Sequence, residues 1–272
     1  MQLLLGSAVK KRIEATVTKR LNALAKQGER VRIALFRVGE KEDDCQYERT
    51  ILRACDRLGI DAEHTAFSED VSEETLFGAL FAASSREEVD GILLFRPIPK
   101  SLQTERIRTA IPPEKDIDGS LQEESAFVPC TPEGCMHLLE TYGIDPRGKR
   151  CVVIGRSPVV GKPLAELLRD AGGIVTVCHT QTLDVRAETR QAELLFVACG
   201  KPEMVDRTYL REGQIIIDVG FHTVEGRFCG DVKASDAELY ASAYTPFPGG
   251  VGTVTLSVLL LHAVEAHERK RA

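Results

Sequence analysis

An α/β fold of two domains, the second a Rossmann-like dinucleotide-binding domain, follows from the order of patterns along the chain. Short apolar runs of strand length alternate with amphipathic stretches of helical spacing, as in a parallel sheet flanked by helices. One of those runs, CVVI (151–154), passes straight into the glycine-punctuated turn GRSPVVGKP, after which helical spacing opens at Pro163. The length of 272 residues with 43% hydrophobic content is enough for two cores.

Taken in order, residues 8–27 have helical spacing, and VRIALFRVG (31–39) reads as a buried strand. A second helix is expected over 43–58, a strand at DAEHTAF, and a helix at SEETLFGALFAASS with Ser72 as its cap and Glu74 in the first turn. DGILLFRPIP is a strand stopped by Pro97 and Pro99. The turn-rich PPEKDIDGS leads into a linker, so the domain boundary is placed between residues 122 and 123, with 1–122 and 123–252 as the two domains. A helix over 131–142 precedes the dinucleotide unit, whose strands are CVVI, IVTVCHT (174–180), ELLFVACGKP and GQIIIDVG. The last helix, from Thr253 to about His267 within 253–272, is expected to fold back onto the first domain.

Composition excludes several classes. A net charge of −6 with no basic patch or arginine-aromatic tract argues against nucleic acid as a partner. The eight cysteines are scattered, as for reduced thiols, and Cys130 and Cys135 lack a second ligand pair at metal-binding spacing, so no metal is expected. The apolar run in MQLLLGSAVKKRIEA is too short for a signal peptide, and no run of 18 apolar residues occurs. A cytoplasmic protein with no membrane partner is the expectation.

The glycine turn carries the nucleotide reading. Gly155 permits a tight turn, Ser157 stands where a larger side chain would block phosphates, and Gly161 allows strand and helix to pack closely. The spacing G-x-S-x-x-x-G is looser than G-x-G-x-x-G, and an empty strand-turn-helix also satisfies it. The following strand ends Cys178-His179-Thr180, with no acid to hold the ribose hydroxyls of NAD, while Arg156 sits in the turn. This combination tilts the cofactor toward NADP with NAD possible, unless Arg156 is merely a solvated loop cation. Thr180, Gly200 and Phe221, at or just beyond strand ends, complete the candidate cofactor set.

KDIDG (115–119), PCTPEG (129–134), GRSPVVGKP, CHT (178–180), GDV (230–232) and PFPGGVGTVT (246–255), in that order, resemble the bifunctional methylenetetrahydrofolate dehydrogenase/cyclohydrolase family nearly end to end. The resemblance implies an N-terminal catalytic domain, a C-terminal nucleotide domain, a tetrahydrofolate derivative in a cleft between them, and a homodimer. It assigns Asp118 to the pterin ring, Tyr47 to the folate's aromatic middle, and Pro248, Gly249 and Gly250 to a backbone surface near the substrate. Asp118 as turn chemistry, Tyr47 as a core-edge residue and the glycine loop as a plain connection are the structural alternatives. Tyr47 and Asp118 are the candidate catalytic residues.

This chain departs from the family pattern at the position four residues after Tyr47, where the family's lysine is replaced by Ile51. The family's glutamine partner is replaced by Phe95, followed by Arg96 in place of leucine. Asp44 replaces a serine and Thr253 a proline. Hydride transfer requires positioning above all, whereas hydrolysis of the methenyl bridge requires a proton-transfer group, and isoleucine is none. An NADP-linked dehydrogenase with lost or weak cyclohydrolase is therefore expected. A non-catalytic or repurposed folate- or nucleotide-binding relative, and a still bifunctional enzyme using Arg96 or a water chain, are the other readings.

Overall fold

The structure is a computed structural model in which residues 1–121 and 125–271 are described. The expected boundary at 122/123 lies outside the described residues. The chain divides into two compact units, one of Ile13–Val128 with Leu259–Ala272, the other of Met1–Arg12 with Pro129–Val258. Residues 1–12 thus group with the second unit instead of the N-terminal domain, because the short strand β1 (Gln2–Leu3) adds to that unit's sheet.

The unit formed by 13–128 contains β2 (Arg32–Val38), α2 (Glu42–Leu58), β3 (Asp61–Phe67), α3 (Glu73–Ser84), β4 (Gly91–Leu94) and the short α4 (Glu105–Arg108). Most of α1 (Gly6–Lys26) also belongs to it. Its strands are parallel in the order β3-β2-β4. Alternation along β2 sends Ala34, Phe36 and Val38 into a core with Leu76, Leu80 and Ala83 of α3. The opposite face carries Arg37, which meets Glu48 of α2, so the sheet is covered on both faces. The helix α3 starts as expected, with the Ser72 side chain accepting from the Thr75 N–H at 3.1 Å. β4 is shorter than the apolar run containing it and ends before Phe95.

The other unit contains α5 (Cys130–Thr141), β5 (Arg150–Ile154), α6 (Gly161–Asp170), β6 (Ile174–Cys178), α7 (Val185–Gln191), β7 (Leu194–Val197), β8 (Gln214–Asp218), the hairpin β9 (His222–Val224) and β10 (Arg227–Cys229), α8 (Ala234–Tyr240) and β11 (Ala241–Tyr244). Among the described residues its main sheet runs β1-β11-β8-β7-β5-β6, with parallel pairing throughout. The chain leaves β5 for β6 on one side and returns to β7 on the other, which makes the ends of β5 and β7 the topological switch point where ligands of open α/β sheets bind. α6 opens at Gly161, two residues before the expected Pro163, and the proline is tolerated because first-turn N–H groups have no intrahelical acceptor. α9 (Gly252–Arg269) begins in this unit, and its residues from Leu259 onward belong to the other. Among the described residues, no helix is long and apolar enough to cross a membrane.

Candidate active site

At the switch point of the second unit, Gly155 adopts φ 121°, and a Cβ there would overlap the carbonyl oxygen of Ala198 just past β7. A Cβ on Gly161 would in turn overlap the Gly155 carbonyl oxygen, so both glycines are required by close backbone approach. Gly155 N–H donates to the Cys178 carbonyl at 2.9 Å, joining the ends of β5 and β6. Ser157 does more than stay small: its Oγ accepts from the N–H groups of Val160 at 3.2 Å and Gly161 at 3.4 Å, closing the turn that leads into α6. Arg156 and Thr180 are exposed, and Gly200, at φ 67°, has open space where a side chain would stand. Beyond β6, the His179 N–H donates to Thr182 Oγ1 at 3.0 Å and its Nδ1 accepts from Gln181, a local turn. A glycine cradle at a helix N-terminus, with exposed Arg156 and no carboxylate on Cys178, His179 or Thr180, fits a nucleotide bearing a 2′-phosphate.

Phe221 is exposed and packs on Phe228 at 6.1 Å and edge-on to Phe247 at 5.4 Å. In the adjoining Pro248-Gly249-Gly250 loop, the Gly249 carbonyl accepts from the Gly6 N–H at 2.8 Å. Gly6, which sequence reasoning did not single out, is a glycine because a Cβ would overlap the Gly250 carbonyl oxygen.

A second set of groups gathers at the ends of β2 and β4 in the other unit. Tyr47 is half-buried and meets Phe95 edge to face, ring centroids 5.9 Å apart and planes at 72°. Phe95 is 6% exposed and its N–H donates to the Phe36 carbonyl at 2.9 Å. Ile51, one turn after Tyr47, is 0% exposed. Neither Ile51 nor Phe95 offers a proton-transfer group. Arg96 is exposed and donates to the Ser120 carbonyl at 3.2 Å. Burial pushes the Asp44 carboxyl above its ordinary range, against the lowering effect of Lys41.

Asp118 is half-buried in a loop that adds to the edge of β4 through a parallel bridge between Ile92 and Asp116. His262 of α9 donates from Nδ1 to the Ile117 carbonyl at 2.8 Å, with the Phe127 ring 4.8 Å away, and so holds that loop. Asp116, two residues before Asp118, is buried and accepts from the Leu121 N–H at 3.0 Å. Burial pushes its carboxyl up to about 6, with the nearby Asp118 charge adding to the effect.

Sequence reasoning assigned no role to two groups. One is the pair Arg37 and Glu48, both buried, joined at 3.2 Å with His64 3.8 Å from Glu48; Arg37 also donates to the Gly39 carbonyl. The other is Asp218 and Asp231, whose carboxylates organise the loops beyond β7 and β8. Charged residues in otherwise apolar strand runs were the available signal for Arg37 and Asp218. Among the described residues, no three His, Cys, Asp or Glu side chains are grouped to hold a metal ion.

Residues 4–118 match the family described as "Tetrahydrofolate dehydrogenase/cyclohydrolase, catalytic domain", and residues 129–271 its "NAD(P)-binding domain". The "Bifunctional protein FolD" of Clostridium kluyveri is 39% identical over 275 residues, covering 97% of each chain. A crystal structure of the bifunctional FolD methylenetetrahydrofolate dehydrogenase/cyclohydrolase of Campylobacter jejuni superposes with a TM-score of 0.94 at 33% identity, covering 99% of each chain. The Trypanosoma brucei enzyme complexed with NADP cofactor and inhibitor gives a TM-score of 0.90 at 30% identity, covering 98% of this chain and 97% of that one.

Proposed function

The chain belongs to the tetrahydrofolate dehydrogenase/cyclohydrolase family, and from that premise we propose that it is an NADP-dependent 5,10-methylenetetrahydrofolate dehydrogenase whose methenyltetrahydrofolate cyclohydrolase step is lost or severely weakened. NADP, when bound, accepts the hydride from the methylene bridge. The chain's own contribution is to hold the two reactants. The turn from Gly155 to Gly161 receives the phosphates, and Arg156 with Thr180 receives the 2′-phosphate. Asp118 accepts N–H donors of the pterin in fork geometry, Tyr47 covers the aromatic middle of the folate, and the Pro248–Gly250 backbone and Phe221 supply surface. A cytoplasmic homodimer is part of the same reading.

Cyclohydrolase needs water activated at the methenyl carbon and protons moved afterwards. The observation that carries the reading is that Ile51 is fully buried and Phe95 is packed on Tyr47, an apolar pair where the family pattern has lysine and glutamine. Loss of both polar partners together leaves no unsatisfied amide. Arg96 is an unsuitable substitute, since a guanidinium does not exchange protons near neutral pH. A still bifunctional enzyme is the second reading, favoured by the names of relatives such as that of C. kluyveri.

The test is an absorbance assay with methylenetetrahydrofolate and NADP or NAD, following reduced cofactor and methenyl product together. Methenyl accumulating in step with reduced cofactor is expected. Formyl product appearing faster than spontaneous hydrolysis would establish the bifunctional reading instead, and silence with both cofactors would leave a binding protein.

A further inference from the structure

Three consecutive backbone N–H groups follow β7 and point at one carboxylate. Asp231 Oδ2 accepts from Cys199 at 2.7 Å and Gly200 at 3.0 Å, and Oδ1 accepts from Lys201 at 2.9 Å. His222 Nε2 donates to the same Oδ1 at 2.7 Å, and the Asp231 side chain is 0% exposed. Successive N–H groups of this kind form a concavity that binds anions. Here the anion is the protein's own, so these amides are not left over for a ligand phosphate, and the carboxylate instead sets the shape of the loop. Gly200 accordingly contributes open space at φ 67° and not a donor.

Asp231 is itself held. Its N–H donates to Asp218 Oδ1 at 3.0 Å, and the N–H groups of Gly220 and Val232 donate to the same carboxylate at 2.9 Å each. Gly220 and Gly230 are glycines by necessity, since a Cβ on either would overlap the Asp231 or the Asp218 carboxylate. The chain of contacts ends at the nucleotide turn: the loop clamped by Asp231 begins at Ala198, whose carbonyl oxygen fills the place of the Cβ that Gly155 lacks.

We propose that Asp231 is a positioning residue of the nucleotide site, its carboxylate locking the Cys199–Lys201 backbone against the Gly155 turn so that the switch point between β5 and β7 stays open for the dinucleotide. The proposal rests on the reading that NADP binds at this switch point. Asn in place of Asp keeps the volume, but turns an NH2 group toward N–H donors, so one pair of bonds is lost and a repulsive contact replaces it.

Asp231→Asn and His222→Ala, each checked by circular dichroism and thermal melting, are compared with the native protein in three measurements. In the cofactor-free protein, exchange of the Cys199, Gly200 and Lys201 amides is expected to accelerate about tenfold in Asp231→Asn. NADPH affinity by nicotinamide fluorescence and KM for NADP are expected to weaken about tenfold, with kcat at saturating NADP and KM for the folate within about twofold. His222→Ala is expected to weaken NADPH by about threefold, and His222→Gln, which restores a donor, to recover it. A folded Asp231→Asn protein with native exchange and native NADPH affinity would overturn the proposal. Should Asp231→Asn fail to fold, native affinity in His222→Ala would do the same. Failure of the native protein to bind NADPH would refute the nucleotide reading itself, while the exchange measurement would still report on the clamp.

Discussion

On the proposed reading Ile51 and Phe95 are the residues that remove the hydrolysis step, and their burial bounds any attempt to restore it. Ile51→Lys alone places an ammonium where no side-chain surface reaches water, at a cost on the order of 3 kcal/mol. Pairing it with Phe95→Gln supplies a hydrogen-bond partner, and the double variant is expected to recover part of that loss and gain measurable cyclohydrolase. On that reading, a stable double variant with none would mean that more than these two side chains prevents hydrolysis. Nearby, the ion pair of Arg37 (8% exposed) and Glu48 (6%) is a liability if halved. Glu48→Ala, which leaves the guanidinium buried without its carboxylate, is expected to cost about 3–5 kcal/mol in urea unfolding, and Arg37→Leu with Glu48→Leu distinctly less. Equal losses would mean that the pair is worth its full Coulomb attraction. Tyr47, Ile51 and Phe95 stand out in the sequence because each sits at a fixed offset within a recognisable pattern. Arg37 and Glu48 do not, since a charge in an apolar strand has no assigned partner until the helix is laid on the sheet.

The start of α6 shows how one short element serves two purposes. Gly155→Ala forces a side chain into the Ala198 carbonyl at a φ of 121°, and is expected to cost more than about 3 kcal/mol and to abolish nucleotide binding. Ser157→Ala removes only the two turn hydrogen bonds, so about 1 kcal/mol and a modest loss of NADPH affinity are expected in melting and fluorescence titration. An unaffected Tm in Ser157→Ala would mean that the hydroxyl's turn hydrogen bonds add nothing to stability. The turn was legible because glycine spacing reports backbone demands directly. β1 and β11 were not: strands of two and four residues carry too little periodicity to read, and their sheet membership comes from the partner backbone.

Across the whole molecule, two buried carboxyls set an unusual pH response. Burial pushes Asp218 (4% exposed) up to about 7 despite three N–H donors pulling the other way, and Asp116 up to about 6. Between about pH 4 and those values the unfolded chain has released protons that the folded chain retains, so stability falls as pH rises through this window. The opposite trend comes from Glu268, Glu140 and Asp206, held below the usual carboxylate range chiefly by hydrogen bonds from Arg20, Arg12 and Thr208, whose contribution is lost as pH falls. Maximum Tm is therefore expected between about pH 4.5 and 6 in calorimetry, with a shallower alkaline decline in Asp218→Asn; a maximum at pH 8 would contradict it.

The alternation of strand and helix, the parallel sheets it implies, the glycine turn and the motifs that mark the family are all readable from the order of residues. These are local, written in side-chain period and in the backbone freedom of glycine. Only the folded chain shows that Met1–Arg12 joins the nucleotide unit, that His262 holds the Asp118 loop, and that Asp231 reaches back about thirty residues to three amides of the β7 loop. Those partners are distant in sequence and meet only when the order of strands brings their ends together, so the carboxylate that shapes the loop carries no local mark of what it holds.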